Sequence, residues 1–217
     1  PTGDKIVFSA YQDYEDEEEK RDDITIVEKL YHKYDGYGFF RGKYSQIFTA
    51  EVKDPEFEHK ITQITANNYN HYHPVFSPDG DKIACSVMRE DYLEKGVYKH
   101  DLCYYDLKKD KFQIVLNGRG PVRYLDWSKD GDFLVYIGHQ NKYGRATTNN
   151  LWLVPFNCEC EFPINKDRIV NLTEKLERPV GTAVDSDLNY CCLDNYPFYW
   201  SDNGKNIYFI AADQGSS

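Results

Sequence analysis

Several groups of side chains in this sequence have the types and spacing to do chemistry. The first is the acidic run at residues 13–23, D-Y-E-D-E-E-E-K-R-D-D, which holds eight acids and two bases. The sharper reading of this run, which includes Glu17, Glu18 and Glu19, is a loop that repels acidic ligands or holds an ammonium group, since carboxylates pair with a cation. The plain alternative is a solvated loop, since like charges repel and stay hydrated. The second group is Asp35-Gly36-Tyr37-Gly38-Phe39-Phe40-Arg41. Its glycines permit close backbone approach, and its aromatic rings are large apolar surfaces. Asp35, Tyr37, Phe39, Phe40 and Arg41 are therefore candidate substrate-binding residues on a loop. The alternative is that they pack an inserted hairpin onto its scaffold.

Metal chemistry is weighed next. His71-Tyr72-His73 has the spacing that puts both rings on one face of a strand. A metal needs a third ligand and no acid adjoins, so a polar segment linking two structural units is expected. Cys158-Glu159-Cys160 and Cys191-Cys192 can be free thiols or a four-thiolate zinc site. Structural zinc sites space their paired cysteines two to four residues apart, so free thiols, with no metal and no cofactor, are the expectation. Cys85 and Cys103 fall in β-type segments, where a thiol acts as a small hydrophobe. Asn171-Leu172-Thr173 matches a glycosylation sequon, which matters only after export.

A serine nucleophile is absent from these residues. A nucleophile elbow needs G-x-S-x-G, because only small neighbours allow the sharp turn. None of the nine serines (9, 45, 77, 86, 128, 186, 201, 216 and 217) has glycine on both sides at that spacing. No Ser-His-Asp triad is assigned.

Composition narrows the partners. The 217 residues carry 26 basic and 36 acidic side chains, a formal charge of −10. That sign argues against nucleic acid and anionic membranes, whose phosphates need a Lys/Arg-rich face. The run at 13–23 carries −6 of it, so the rest is nearly balanced. Apolar runs such as residues 151–156 are too short to span a bilayer. Pro1-Thr2-Gly3-Asp4 shows no basic-then-apolar leader. A cytoplasmic location is expected, although a missing native N-terminus leaves export open.

The elements that must position these residues come from a repeat. Residues 74–85 (P-V-F-S-P-D-G-D-K-I-A-C), 125–136 (L-D-W-S-K-D-G-D-F-L-V-Y) and 198–209 (F-Y-W-S-D-N-G-K-N-I-Y-F) align. A beheaded copy stands at 1–8 (P-T-G-D-K-I-V-F). Ser turns the chain with its hydroxyl, Asp or Asn follows, and Gly supplies positive φ. Each copy reads as a hairpin, followed by two further alternating strands at 46–52 and 60–64, 102–106 and 112–116, and 150–154 and 168–172. Tandem four-stranded units are the mark of β-propeller blades. The interval from Gly80 to Gly131 suits one blade of about 40–50 residues. The intervals on either side exceed that norm by roughly 25–30 residues, and such insertions collect on one face of a repeat protein.

The expected fold is all-β, a partial β-propeller of four-stranded antiparallel blades. Two blades are complete and two incomplete. Units fall at about 1–65, 72–117, 121–173 and 197–217, with inserted loops at about 10–45, 138–149 and 174–197. Tyr104, Tyr105, Trp127 and Trp200 read as blade cores. Closed propellers need at least four blades, so the chain reads as a piece of a larger one. Open edges invite pairing, and a homodimer through them is expected.

The repeats resemble those of TolB and of the prolyl oligopeptidase family of serine peptidases. Residues 29–40 (K-L-Y-H-K-Y-D-G-Y-G-F-F) with 46–48 (Q-I-F) are similar to a D-G-x-G-F segment of acylaminoacyl-peptidase-like members. Residues 150–154 (N-L-W-L-V) with 171–173 (N-L-T), and 207–217 (I-Y-F-I-A-A-D-Q-G-S-S), resemble their later blades. The resemblance implies a two-domain serine peptidase whose propeller gates short peptides into an α/β-hydrolase domain. That domain is absent here, so this chain alone is expected to be inactive. Glu18 and Glu19 invite comparison with the ammonium-binding glutamates of the dipeptidyl-peptidase branch, although their aromatic context departs from it. The alternative is a TolB-like propeller that binds protein or peptide without enzymatic activity.

Overall fold

A computed structural model of the chain describes residues 3–13, 24, 27, 32–34, 38–39, 43–52, 60–89, 92, 95, 98–157, 160–181 and 196–213. Its architecture follows from the hairpin turn. Ser77 donates its N–H to Lys82 O, and Gly80 N–H reaches back to Ser77 O at 2.8 Å. The Ser77 hydroxyl also accepts Lys82 N–H at 2.9 Å. Ser128 and Ser201 repeat the same bonds with Phe133, Gly131, Asn206 and Gly204. Gly80, Gly131 and Gly204 all sit near φ +70°, at 75°, 79° and 68°. That region costs an L side chain about 1–2 kcal/mol, which is why the motif insists on glycine.

Each turn joins the first two strands of a sheet. β6 (Tyr69–Phe76), β7 (Lys82–Arg89), β8 (Asp101–Asp106) and β9 (Lys111–Leu116) form one antiparallel four-stranded sheet in that order. β10 (Val122–Trp127), β11 (Phe133–Gly138), β13 (Asn150–Pro155) and β14 (Val170–Asn171) form another. β12 (Lys142–Arg145) lies in the connection between β11 and β13. β1 (Lys5–Asp13), β4 (Lys43–Glu51) and β5 (Ile61–Gln63) make a three-stranded sheet, and β15 (Phe198–Trp200) with β16 (Ile207–Phe209) a two-stranded one. A small hairpin, β2 (Lys33–Tyr34) with β3 (Gly38–Phe39), lies within the connection from β1 to β4.

The middle strands show how the sheets stack. Along β7, Ile83, Cys85 and Val87 join a cluster with Ile47 of the first sheet. Ala84, between them, joins a cluster with Leu125, Trp127 and Leu134 of the next sheet. β11 does the same one sheet further on. Leu134 and Tyr136 face backwards, while Val135 and Ile137 meet Phe198 and Val180. Strand side chains alternate, so one strand serves two interfaces. Trp127 packs edge-on against Phe156 at 4.5 Å and donates its indole N–H to Val75 O in the neighbouring sheet. Two four-stranded sheets flanked by incomplete ones are a partial β-propeller.

Some details differ from the sequence reading. β1 and β4 stay paired as far as Asp13↔Lys43. Trp200 is only half-buried, and Phe198 fills the core of its sheet instead. Thr173 of the sequon is buried, and its hydroxyl accepts Leu151 N–H at 3.0 Å. No helix among the described residues is long and apolar enough to cross a membrane.

Candidate functional site

The first strands of successive sheets, β6 and β10, lie side by side. Both are bulged at the same place, between Tyr72 and Val75 and between Arg123 and Asp126. Each bulge holds a non-glycine residue in the left-handed region, His73 at φ 52° and Tyr124 at φ 49°. Such strain persists only where the surroundings over-determine it. Here the two rings lie against one another at 5.6 Å. Tyr124 also meets Tyr196 edge-on at 6.0 Å, just before β15. In the other direction His73 neighbours Tyr72, Tyr72 neighbours His100, and His100 meets Tyr98 at 5.4 Å. A seam of tyrosine and histidine rings thus crosses three sheets.

Tyr98 is the hub of one end. Arg123 donates to its phenol oxygen at 3.0 Å, and the Arg145 guanidinium lies 5.4 Å from its ring centre. The Asn141 side-chain amide donates to Tyr98 O at 2.8 Å and to Arg119 O at 3.0 Å, drawing Arg119 into the group. His139 accepts Asn141 N–H on Nδ1. Burial, and then the Arg123 charge, lowers the His139 pKa. His100 is buried with Nδ1 at Val122 O, and burial brings its pKa down to about 4. Both rings are neutral at pH 7.

Glycines allow these connections to approach so closely. A Cβ on Gly120 would stand 1.8 Å from His139 O, and one on Gly118 would stand 2.7 Å from His100 O. His100 N–H donates to Gly120 O at 2.9 Å. Buried Asp101 fixes the adjoining strand end, pairing with Arg89 at 2.5 Å and accepting Gly118 N–H at 2.6 Å. At the far end, burial raises the Asp126 carboxyl, against a single opposing bond from Trp127 N–H. The Tyr196 phenol is raised by burial and then by the Asp126 charge, and it donates to Leu125 O.

The arrangement can bind and orient. Arg119, Arg123 and Arg145 supply cations, and the ring seam supplies flat apolar surface. Among the described residues none of the three arginines has a carboxylate partner. Gln140 and Tyr98 hold them instead.

Of the residues singled out from sequence, Glu18, Glu19, Asp35, Tyr37, Phe40 and Arg41 lie outside the described residues. Phe39 lies in β3, paired with Lys33. Further along, Ser45 of β4 donates its N–H to Asn70 Oδ1 and its hydroxyl to His71 O, which ties β4 to β6. His71 and His73 sit on β6 itself rather than on a link between units, which corrects that expectation. The bulge at His73 interrupts the alternation that H-x-H spacing assumes. His71 is buried against Asn67 and Phe112, while the exposed His73 meets Tyr72 and Tyr124. Cys85 and Cys103 are buried free thiols paired across β7 and β8. Cys160 is half-buried with Sγ 3.0 Å from Asn157, and Cys158, Cys191 and Cys192 lie outside the described residues. Among the described residues no group of three His, Cys, Asp or Glu side chains can hold a metal ion.

Sequence reasoning missed the seam and its arginines. One signal was available: His73 and Tyr124 each stand four residues before a turn serine, one residue upstream of the aligned repeats.

Comparisons with known proteins bear on the fold. The chain aligns along its full length with an uncharacterized peptidase, YuxL, of Bacillus subtilis (strain 168), at 23% identity over 224 residues. It spans 32% of that relative's length. An acylaminoacyl peptidase of Pyrococcus horikoshii superposes with a TM-score of 0.54 and 14% identity, over 85% of this chain and 26% of that one. The chain shares its fold with part of this peptidase. An acylaminoacyl peptidase in complex with Z-Gly-Gly-Phe-chloromethyl ketone gives 0.53 and 13%, over 82% of this chain and 25% of that one. No family model matches the chain. The resemblance read from the motifs is thus repeated by neighbours in sequence and in structure.

Proposed function

We propose that this chain is the non-catalytic propeller portion of a serine hydrolase like the acylaminoacyl and dipeptidyl peptidases. It gates and selects peptide substrates for an α/β-hydrolase domain carried elsewhere in the parent protein. The observation that carries this reading is the alignment of the whole chain with about a third of a peptidase relative. The propeller fold and the absence of G-x-S-x-G in these residues agree with a role in access rather than in bond cleavage.

The test compares this polypeptide with the full-length parent. The chain alone is expected to hydrolyse neither acyl-peptides nor aminoacyl chromogens and to resist serine-reactive probes. The parent is expected to do both. Stoichiometric labelling of the chain alone overturns the reading. As an isolated piece the chain exposes Tyr208 and Phe209 on β16, an outer strand of its small sheet. We further propose that it pairs with a second copy through its open edges. A strictly monomeric species at high concentration in light scattering overturns that.

A further inference from the structure

We infer that the arginine cluster at Tyr98 is a binding site for a peptide carboxylate. This rests on the peptide-gating reading above and names the chemistry of the substrate it selects.

The argument begins with charge. The chain carries −10 overall, yet the Arg123 and Arg145 guanidiniums both meet Tyr98, and Asn141 ties the Arg119 backbone to the same residue. Among the described residues no carboxylate answers them, and their named partners are the neutral Gln140 and Tyr98. A guanidinium carries five donors in a planar fork that matches a carboxylate. Arg123 places one hydrogen bond, on the Tyr98 phenol, which leaves donors to offer. Arg145 meets the ring of Tyr98 through its guanidinium, a contact that orients the fork without consuming an acceptor.

The second observation is rigidity. Asn141 bridges the backbones of Tyr98 and Arg119 with both amide hydrogens. Gly118 and Gly120 let the connection press onto His100 and His139 with no room for a side chain. A fork held before the ligand arrives loses less entropy on binding. Nearby, His100 keeps a buried Nε2 with no hydrogen-bond partner.

The third is continuity. From Tyr98 the ring seam runs through His100, Tyr72, His73 and Tyr124 to Tyr196. A peptide anchored by a carboxylate at Tyr98 can lay its remaining residues along these rings. A polyanion such as nucleic acid is disfavoured by the net charge, whereas a single carboxylate needs only the local cluster. The carboxylate has two sources, an acidic side chain or the α-carboxylate of the peptide's C-terminus.

The test is equilibrium binding to the full-length parent, read by fluorescence anisotropy. The probes are dansyl-Ala-Gln-Ala and dansyl-Ala-Glu-Ala, each as free acid and as C-terminal amide. The site is expected to bind at least one acid form about tenfold more tightly than the uncharged dansyl-Ala-Gln-Ala amide. Preference for the free acid of the Gln peptide assigns the α-carboxylate. Preference for the amide of the Glu peptide assigns the side chain. R123Q/R145Q is expected to abolish the preference with an unchanged thermal melt, and R123K to keep only part of it. Equal binding of all four probes overturns the proposal, and so does a preference that survives R123Q/R145Q. If a variant fails to fold, the four-probe comparison on the unaltered protein still decides. Because the readout is binding, a parent that hydrolyses nothing fails the functional proposal without touching this one.

Discussion

The two ends of the blades obey different rules. At the turn end, Ser77, Ser128 and Ser201 make the same hydrogen bonds in three sheets. Gly80 meets nothing within 4 Å of a built Cβ, so its role is purely its φ of 75°. Away from the turns the two bulged strands share a backbone path but not their side chains. One carries His73 where the next carries Tyr124, and the arginines occur once each. The glycines there are required by crowding rather than by φ. Repetition marks the scaffold, and departure from repetition marks where a ligand can be recognised.

Substitutions break or sharpen that contrast. The largest effect is expected from Gly120→Ala, whose Cβ would stand 1.8 Å from the backbone oxygen of His139. Backbone must move, and a loss of about 3 kcal/mol or more is expected in urea unfolding. Next comes pH. Burial holds His71 and His100 near a pKa of about 4 when folded, against 6.5 for an exposed histidine. Both pKa values are depressed by folding, so their stabilisation is full above pH 6.5 and lost as pH falls towards 4. Each histidine contributes up to about 3 kcal/mol. Urea midpoints should drop between pH 7 and pH 4.5, and a His100→Phe variant should show a shallower drop.

Smaller effects belong to the turn end. Ser128→Ala removes the acceptor of Phe133 N–H and the donor to Asp130, and about 1–2 kcal/mol of stability should go with it. Gly80→Ala has space but the wrong φ, so about 1 kcal/mol is expected. Were Gly80→Ala to cost as much as Gly120→Ala, the distinction between φ and crowding would collapse. The least effect on stability is expected from Arg145→Ala, an exposed side chain, within about 0.5 kcal/mol in the same unfolding experiment.

How much of this was legible in the sequence follows the same division. The turns were readable because Ser, Asp and Gly encode their geometry locally, and the strands after them alternate plainly. Trp127 and Tyr104 could be placed in the core by type alone. The seam could not be read as a site, because positive φ at His73 and Tyr124 arises from a register shift between paired strands, and their shared position before the turn serines marks the place but not the geometry. Arg145 meets the Tyr98 ring directly, and the Arg119 backbone is tied to Tyr98 through Asn141, a residue with no motif. Of the 35–41 segment, only Gly38 and Phe39 are among the described residues, paired with Tyr34 and Lys33.

The alternation along β7 and β11 has a mechanical consequence. Because Ala84 and Ile83 answer to different neighbours, the molecule has no single core to lose at once. Among the described residues, each core cluster joins one sheet to its neighbour. Pulled from its two ends, such a chain peels sheet by sheet, in steps, as a stack of coins separates rather than as a drop bursts.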